Sequence, residues 1–294
     1  MKPFVTQIDS SKIALLKEAL LEQGFELSTP PYTHFAGKKK GLSVTLYTSL
    51  KLTVMGKEMG PFIEFFLEPQ ILGTFTFTHP VAAKELDLTA RIGVDEAGKG
   101  DFFGPLCIAS VYGAGDDILK MAALGIKDSK NLSDATVLKL ADQIKKNFIH
   151  EVIRISPLKY NEMYASFGNL NSLLAWGHAT AIENVCQKSG CTNVVIDKFA
   201  HEHVVERAVA RKKLNITLTQ KVRAEEDLVV ASASILARAA FLDGMKKLST
   251  ECGFELPKGA SAQVKEAARK AISTFGREVL PKISKTHFKT TNEV

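Results

Sequence analysis

From Leu42 onward the chain alternates. Leu42, Val44 and Leu46 are apolar, and Ser43, Thr45 and Tyr47 stand between them. After a turn near Ser49 the same period continues, with Leu50, Leu52 and Val54 against Lys51, Thr53 and Met55. A period of two marks strands with one buried face. The apolar runs at 62–67 and 71–77 predict two further strands, so this region reads as a small antiparallel sheet. Ahead of it, Ile13, Leu16, Leu20 and Leu21 recur at helical spacing. Ser10 or Ser11 is placed to cap that helix and Gly24 to end it. Pro30-Pro31 and Gly37-Lys38-Lys39-Lys40-Gly41 mark loops.

Past residue 90 the pattern changes to apolar runs that alternate with helical periods. Strands are predicted at 92–94, 106–112, 151–155, 193–196 and 216–219. Helices are predicted at 133–146 with Ser133 as cap, and at 171–187, 200–212, 227–247 and 261–274. Interleaved strands and helices define an α/β domain with a mixed sheet. The division expected is 1–78 for a first, small α+β domain, 79–90 for a connector and 91–294 for the second domain.

Composition narrows the class. The 294 residues carry a net charge of +6. Residues 1–90 hold 9 basic and 9 acidic side chains, so the whole excess lies downstream, where 29 Lys and Arg face 23 Asp and Glu. A mild basic excess on one domain suits a polyanionic partner. The four cysteines form no C-x-x-C pair and no regular framework, which fits free thiols in a reducing cytoplasm. No apolar signal core opens the chain and no apolar stretch is expected to span a bilayer, so no membrane is expected.

The candidate chemistry lies in acids at the ends of predicted elements. Asp95 and Glu96 follow the apolar residues 92–94. Asp197 follows Val194-Val195-Ile196, and Glu225, Glu226 and Asp227 precede the helix at 228. Acids converging from adjacent strand ends repel one another, and divalent cations relieve that repulsion. Oxygen ligands without His or Cys favour Mg²⁺ or Mn²⁺. Successive strand residues point to opposite faces, so Asp95 and Glu96 share a site only if the strand ends or twists there. Gly98 and Gly100 make such an ending plausible. Gly98-Lys99-Gly100 is no P-loop, since the spaced glycines and the Lys-Ser/Thr pair are absent. His201-Glu202-His203 is a poor zinc pair, because i and i+2 on a helix do not share a face.

The segment Gly93-Val94-Asp95-Glu96-Ala97-Gly98-Lys99-Gly100-Asp101-Phe102-Phe103-Gly104-Pro105 resembles the opening signature of type 2 ribonucleases H. The lysine between the glycines is typical of the ribonuclease HIII branch. Lys127-Asp128-Ser129-Lys130, Asn169-Leu170-Asn171 through His178, Val195-Ile196-Asp197, the run 231–238 and the tail His287-Phe288-Lys289-Thr290-Thr291 match in order. The resemblance implies a ribonuclease H-like catalytic domain preceded by a TATA-binding-protein-like domain. It implies cleavage of the RNA strand of an RNA–DNA hybrid with two metal ions, leaving 5′-phosphate and 3′-hydroxyl ends. Asp95, Glu96 and Asp197 take the places of three catalytic, metal-binding carboxylates. Glu225, in Arg223-Ala224-Glu225, fits the fourth best, with Glu226 and Asp227 as alternatives. Gly98, Lys99 and Gly100 are implied readers of the RNA strand, Lys99 and Lys130 phosphate contacts, and Tyr47 and Lys51 hybrid contacts on the first domain. The chain is expected to act as a monomer in the cytoplasm.

Overall fold

The structure, a computed structural model, describes residues 3–73, 86–197 and 202–294, without the side chains of Glu202 and His203. It divides into two compact units. One is Met1–Lys84 with Ala123–Gly125, and the other is Glu85–Ala122 with Ile126–Val294.

The alternating segment forms the middle of a five-stranded antiparallel sheet in the first unit. Its strands are β1 (Phe4–Gln7), β2 (Glu26–Ser28), β3 (Thr33–Lys39), β4 (Leu42–Tyr47) and β5 (Lys51–Gly56), in the order β1-β5-β4-β3-β2. Val44, Leu46, Leu52 and Val54 are fully buried on one face. They pack with Leu16 and Leu20 of helix α1 (Ile13–Glu22). Thr45 pairs with Thr53 on the other face, which also carries the exposed Tyr47 and Lys51.

Five expectations need correction here. The segment 62–67 is helical. A short helix α2 (Met59–Phe62) runs into a wide π-type helix, Ile63–Leu72, which Gly73 ends at a φ of 71°. Ile63, Phe66, Leu67 and Ile71 are its buried apolar residues, and their 3–4 spacing is helical although their types favour strands. Residues 71 and 72 share that helix, and 74–77 lie outside the described residues. The lysine run is not all loop. β3 extends through Lys39, and the turn is confined to Lys40 and Gly41. Leu21 is exposed, and Asp9 caps the first turn by accepting from the Ser11 N–H, in place of either serine.

The second unit holds a five-stranded mixed sheet. Its strands are β6 (Arg91–Ala97), β7 (Leu106–Gly113), β8 (His150–Ile155), β9 (Asn193–Asp197) and β10 (Thr217–Lys221), in the order β10-β9-β6-β7-β8. β10, β9 and β6 are mutually parallel, and β6, β7 and β8 are antiparallel. The helices are α3 (Asp116–Ala123), α4 (Asp134–Asn147), α5 (Pro157–Phe167), α6 (Leu170–Ser189), α7 (Glu202–Arg211), α8 (Leu228–Cys252), α9 (Ala262–Phe275) and α10 (Leu280–Ile283). α3 and α5 were not among the expected elements. Residues 79–85 of the expected connector and 200–201 of the expected helix lie outside the described residues.

α6 and α8 cover opposite faces of the sheet. Ile92 and Val94 pack with Ile182 and Val185 of α6. Gly93 points the other way, and a Cβ there would lie 2.4 Å from the Val230 backbone nitrogen of α8. That approach is why β6 needs glycine at this position. α8 also corrects an expectation. It is long and apolar enough to cross a membrane by length and composition, yet 72% of its apolar window is buried inside the fold, as befits a core helix. Asp227 caps it by accepting from Val229 N–H at 2.9 Å and pairs with Arg91 Nε at 2.7 Å.

Candidate active site

Strand register brings the acids together. β6 and β9 pair in parallel through Ile92–Val194, Gly93–Val195 and Val94–Ile196, so Asp95 and Asp197 are next in line on neighbouring strands. Gly93 and Val195 face α8, and side-chain alternation puts Asp95 and Asp197 on that same face. Asp197 Oδ1 accepts the Ala224 N–H at 3.3 Å, which ties it to the turn carrying Glu225. Glu96 faces the other way, towards α6, where its Oε2 lies 3.0 Å from Nε2 of the fully buried His178. The strand does not end at the acid pair, since Ala97 still pairs with Cys107. Asp95 and Glu96 therefore stand on opposite faces of one strand end.

Each carboxylate is held. The Ser234 hydroxyl of α8 favours the charged form of Asp95, and Asp95 Oδ1 accepts the Glu96 N–H at 2.8 Å. Burial, and then the negative charge of Glu96, push the Asp95 pKa up. Burial acts the same way on Glu96, whose side chain is only 3% exposed. The hydrogen bond and charge of His178 and the Lys99 ammonium outweigh it, so its pKa falls below the ordinary carboxylate range. Lys99 Nζ sits on Glu96 Oε1 and remains 48% exposed. Lys130, 73% exposed, reaches Glu225 Oε1 at 3.4 Å.

Among the three acids at 225–227, the structure gives three different surroundings. Glu225 Oε2 is buried and has no hydrogen-bond partner among the described residues. Glu226 is exposed. Asp227 is committed to Arg91 and to the α8 cap.

Ser234 and Ser129 share a hydrogen bond of 2.8 Å, and Arg238 donates to the Ser129 carbonyl and to Asp134. This buried chain connects Asp95 to the turn that carries Lys130. Sequence reading treated the small residues of α8 as packing and missed this role. The available signal was Ser234, one helical turn before Arg238 in the apolar first half of the helix. Tyr47 and Lys51 belong to the first unit. His201 lies outside the described residues, as do the side chains of Glu202 and His203.

Among the described residues no three His, Cys, Asp or Glu side chains stand at ligating separation, in keeping with the opposed directions of Asp95 and Glu96. Even so, the residues fit a hard cation. All four candidates offer carboxylate oxygens, one buried oxygen of Glu225 is unpartnered, and lysine ammoniums stand where positive charge is needed.

The family model described as Ribonuclease HII matches residues 92–291, and one described as a domain of unknown function (DUF3378) matches residues 3–74. The fold and the match together define an endoribonuclease of the ribonuclease H class. A ribonuclease HIII of Protochlamydia amoebophila is 52% identical over 294 residues, covering 100% of this chain and 97% of the relative. One from Chlamydia felis is 50% identical, with 99% and 97% covered. The crystal structure of Bst-RNase HIII in complex with Mn²⁺ aligns with a TM-score of 0.67 at 29% identity, over 99% of this chain and 97% of that one. Aquifex aeolicus RNase H3 aligns at 0.57, also at 29% identity, over 97% and 100%. The chain belongs to the ribonuclease HIII family.

Proposed function

We propose that this enzyme hydrolyses the RNA strand of RNA–DNA hybrids endonucleolytically, using two divalent cations, Mg²⁺ or Mn²⁺, and leaving 5′-phosphate and 3′-hydroxyl ends. The observation that carries the reading is the in-register placement of Asp95 and Asp197 on the α8 face, beside a turn that offers an unpartnered Glu225 oxygen. Asp95, Glu96, Asp197 and Glu225 would hold the cations. When bound, the ions supply activation of the attacking water and stabilise charge on the leaving 3′-oxygen.

The chain's own groups do the rest. His178 and Lys99 keep Glu96 ionised, and the Glu96 N–H fixes the direction of Asp95. Lys99 and Lys130 are exposed enough to exchange their carboxylates for substrate phosphates. The backbone of Gly98-Lys99-Gly100 meets the RNA 2′-hydroxyls, the groups that distinguish RNA from DNA. A Cβ at Gly100 would touch nothing within 4 Å, so its outer side is open to a substrate. The first domain, through the face that carries Tyr47 and Lys51, adds a sequence-independent grip on the backbone.

Asp95→Asn should abolish cleavage of a long hybrid in Mg²⁺ or Mn²⁺ while hybrid binding persists, measured by gel assay and fluorescence anisotropy. A wild-type enzyme that binds hybrids but never cuts them would defeat the proposal. Cutting confined to single ribonucleotides embedded in duplex DNA would move the substrate to that class.

A further inference from the structure

Lys285 is fully buried and lies just before the tail motif. Its ammonium donates to three backbone carbonyls, those of Asp101 at 2.8 Å, Phe103 at 3.2 Å and Gly104 at 2.7 Å. An ammonium has three protons to donate, and here each has an acceptor on one short arch. That arch is the second half of the turn that begins at Gly98-Lys99-Gly100. It belongs to no strand, and its sheet-like contact is an isolated bridge between Phe103 and Ser284.

The surrounding bonds converge on the same segment. Lys285 N–H donates to the Phe102 carbonyl at 2.8 Å, and Gly104 N–H to the Ile283 carbonyl at 3.0 Å. Gly259 N–H donates to Asp101 Oδ1 at 2.6 Å, and its carbonyl accepts Phe102 N–H at 2.9 Å. Phe102 and Phe103 are fully buried beneath the arch. At its near end Gly98 is wedged, since a Cβ there would lie 2.3 Å from the Pro105 carbonyl oxygen. The turn thus has a fixed base and, at Gly100, an open outer side.

We infer that Lys285 is a positioning residue for substrate discrimination: its ammonium holds the 101–104 carbonyls so that the Gly98-Lys99-Gly100 backbone is presented rigidly to the RNA strand. The inference rests on the reading of that turn given above. A buried apolar side chain in place of Lys285 would leave three carbonyls without donors. Filling the space therefore does not explain the lysine, whereas fixing the arch does. Lys285 itself touches no substrate. It acts through the turn, so its loss should affect which duplex is preferred more than the chemical step.

The test uses the full chain and the ratio of affinities for an RNA–DNA hybrid and the same-sequence DNA duplex, measured by anisotropy without divalent ions. This ratio cancels the folded fraction, so a purely structural role would not move it. Lys285→Met should narrow the ratio by about tenfold, the equivalent of roughly one lost hydrogen bond, and should raise KM for hybrid cleavage more than it lowers kcat. Asp101→Ala removes the Gly259 tie to the same arch and carries the test if Lys285→Met does not fold. It should narrow the ratio in the same direction, and the double variant should fall short of additive. Gly100→Ala tests the turn directly. If Gly100→Ala narrows the ratio and the other two variants leave it at the wild-type value, Lys285 is only structural and the inference is overturned. If Gly100→Ala leaves the ratio unchanged, the turn does not read the RNA strand, and both readings fall.

Discussion

Glu225, Glu226 and Asp227 are three consecutive acids with different surroundings. Asp227 pairs with a buried arginine and caps a helix, so its carboxylate is already used. Asp227→Asn is expected to cost about 3–5 kcal/mol of stability, as removal of one partner of a buried pair does, and to leave the folded enzyme active. Glu225→Gln should be inactive and stably folded, and Glu226→Gln should resemble wild type. Urea melts beside hybrid-cleavage rates decide it, and an inactive Glu226→Gln with an active Glu225→Gln would reverse the assignment. The resemblance already placed Glu225 first of the three candidates. What the sequence could not show is their different surroundings, because the hydrogen-bond partners come from residues as distant in the chain as Arg91 and Lys130. The directions of Asp95 and Glu96 were partly legible. Strand alternation warned that they diverge, and the continued pairing of Ala97 keeps them on opposite faces, yet Glu96, Asp95 and Asp197 all act on the one Lys99 ammonium.

At the level of elements, the catalytic sheet was legible because each strand is a short apolar run bounded by polar turns. β7, β8 and β9 lie within a residue of the expected bounds. The first unit was harder. β1 and β2 have four and three residues, too short to display a period. The segment after β5 mixes Phe and Ile at helical spacing, and residue type there suggested the wrong element. β4 and β5 were read correctly, and with them the outward face. Replacing both Tyr47 and Lys51 with alanine should weaken hybrid affinity about threefold to tenfold, as expected for one ring and one charge on a backbone-tracking surface, with kcat unchanged. Anisotropy across a salt series measures it, and unchanged affinity would remove this face from the interface.

For the molecule as a whole, one buried charge shapes stability against pH. Burial pushes the Lys285 pKa down to about 8 in the folded protein, from 10.5. Between these values the unfolded chain binds more protons than the folded one, so this group's contribution to stability rises with pH. Wild type should therefore gain about 1 kcal/mol relative to Lys285→Met between pH 8 and 9. Above pH 9 the buried Cys107 thiol, pushed up to about 12, works in the opposite direction. Urea melts of both proteins at the two pH values test this, and a constant difference between them would show that the ammonium is not depressed.

The ties that set the arch come from far along the chain, since Lys285 grips carbonyls 181 to 184 residues earlier. During synthesis, all four carboxylates leave the ribosome well before the residue that braces the turn beside them. An unfinished chain would carry every acid and still lack a selective cutting surface. Translation order would thus act as a safety catch, withholding a selective nuclease until residue 285 has left the ribosome. Ribosome-stalled chains ending at 270 should show a narrower ratio of hybrid to DNA-duplex affinity than chains whose residues 1–294 are exposed beyond the exit tunnel on a C-terminal extension. Equal ratios for both would show that the catch does not exist.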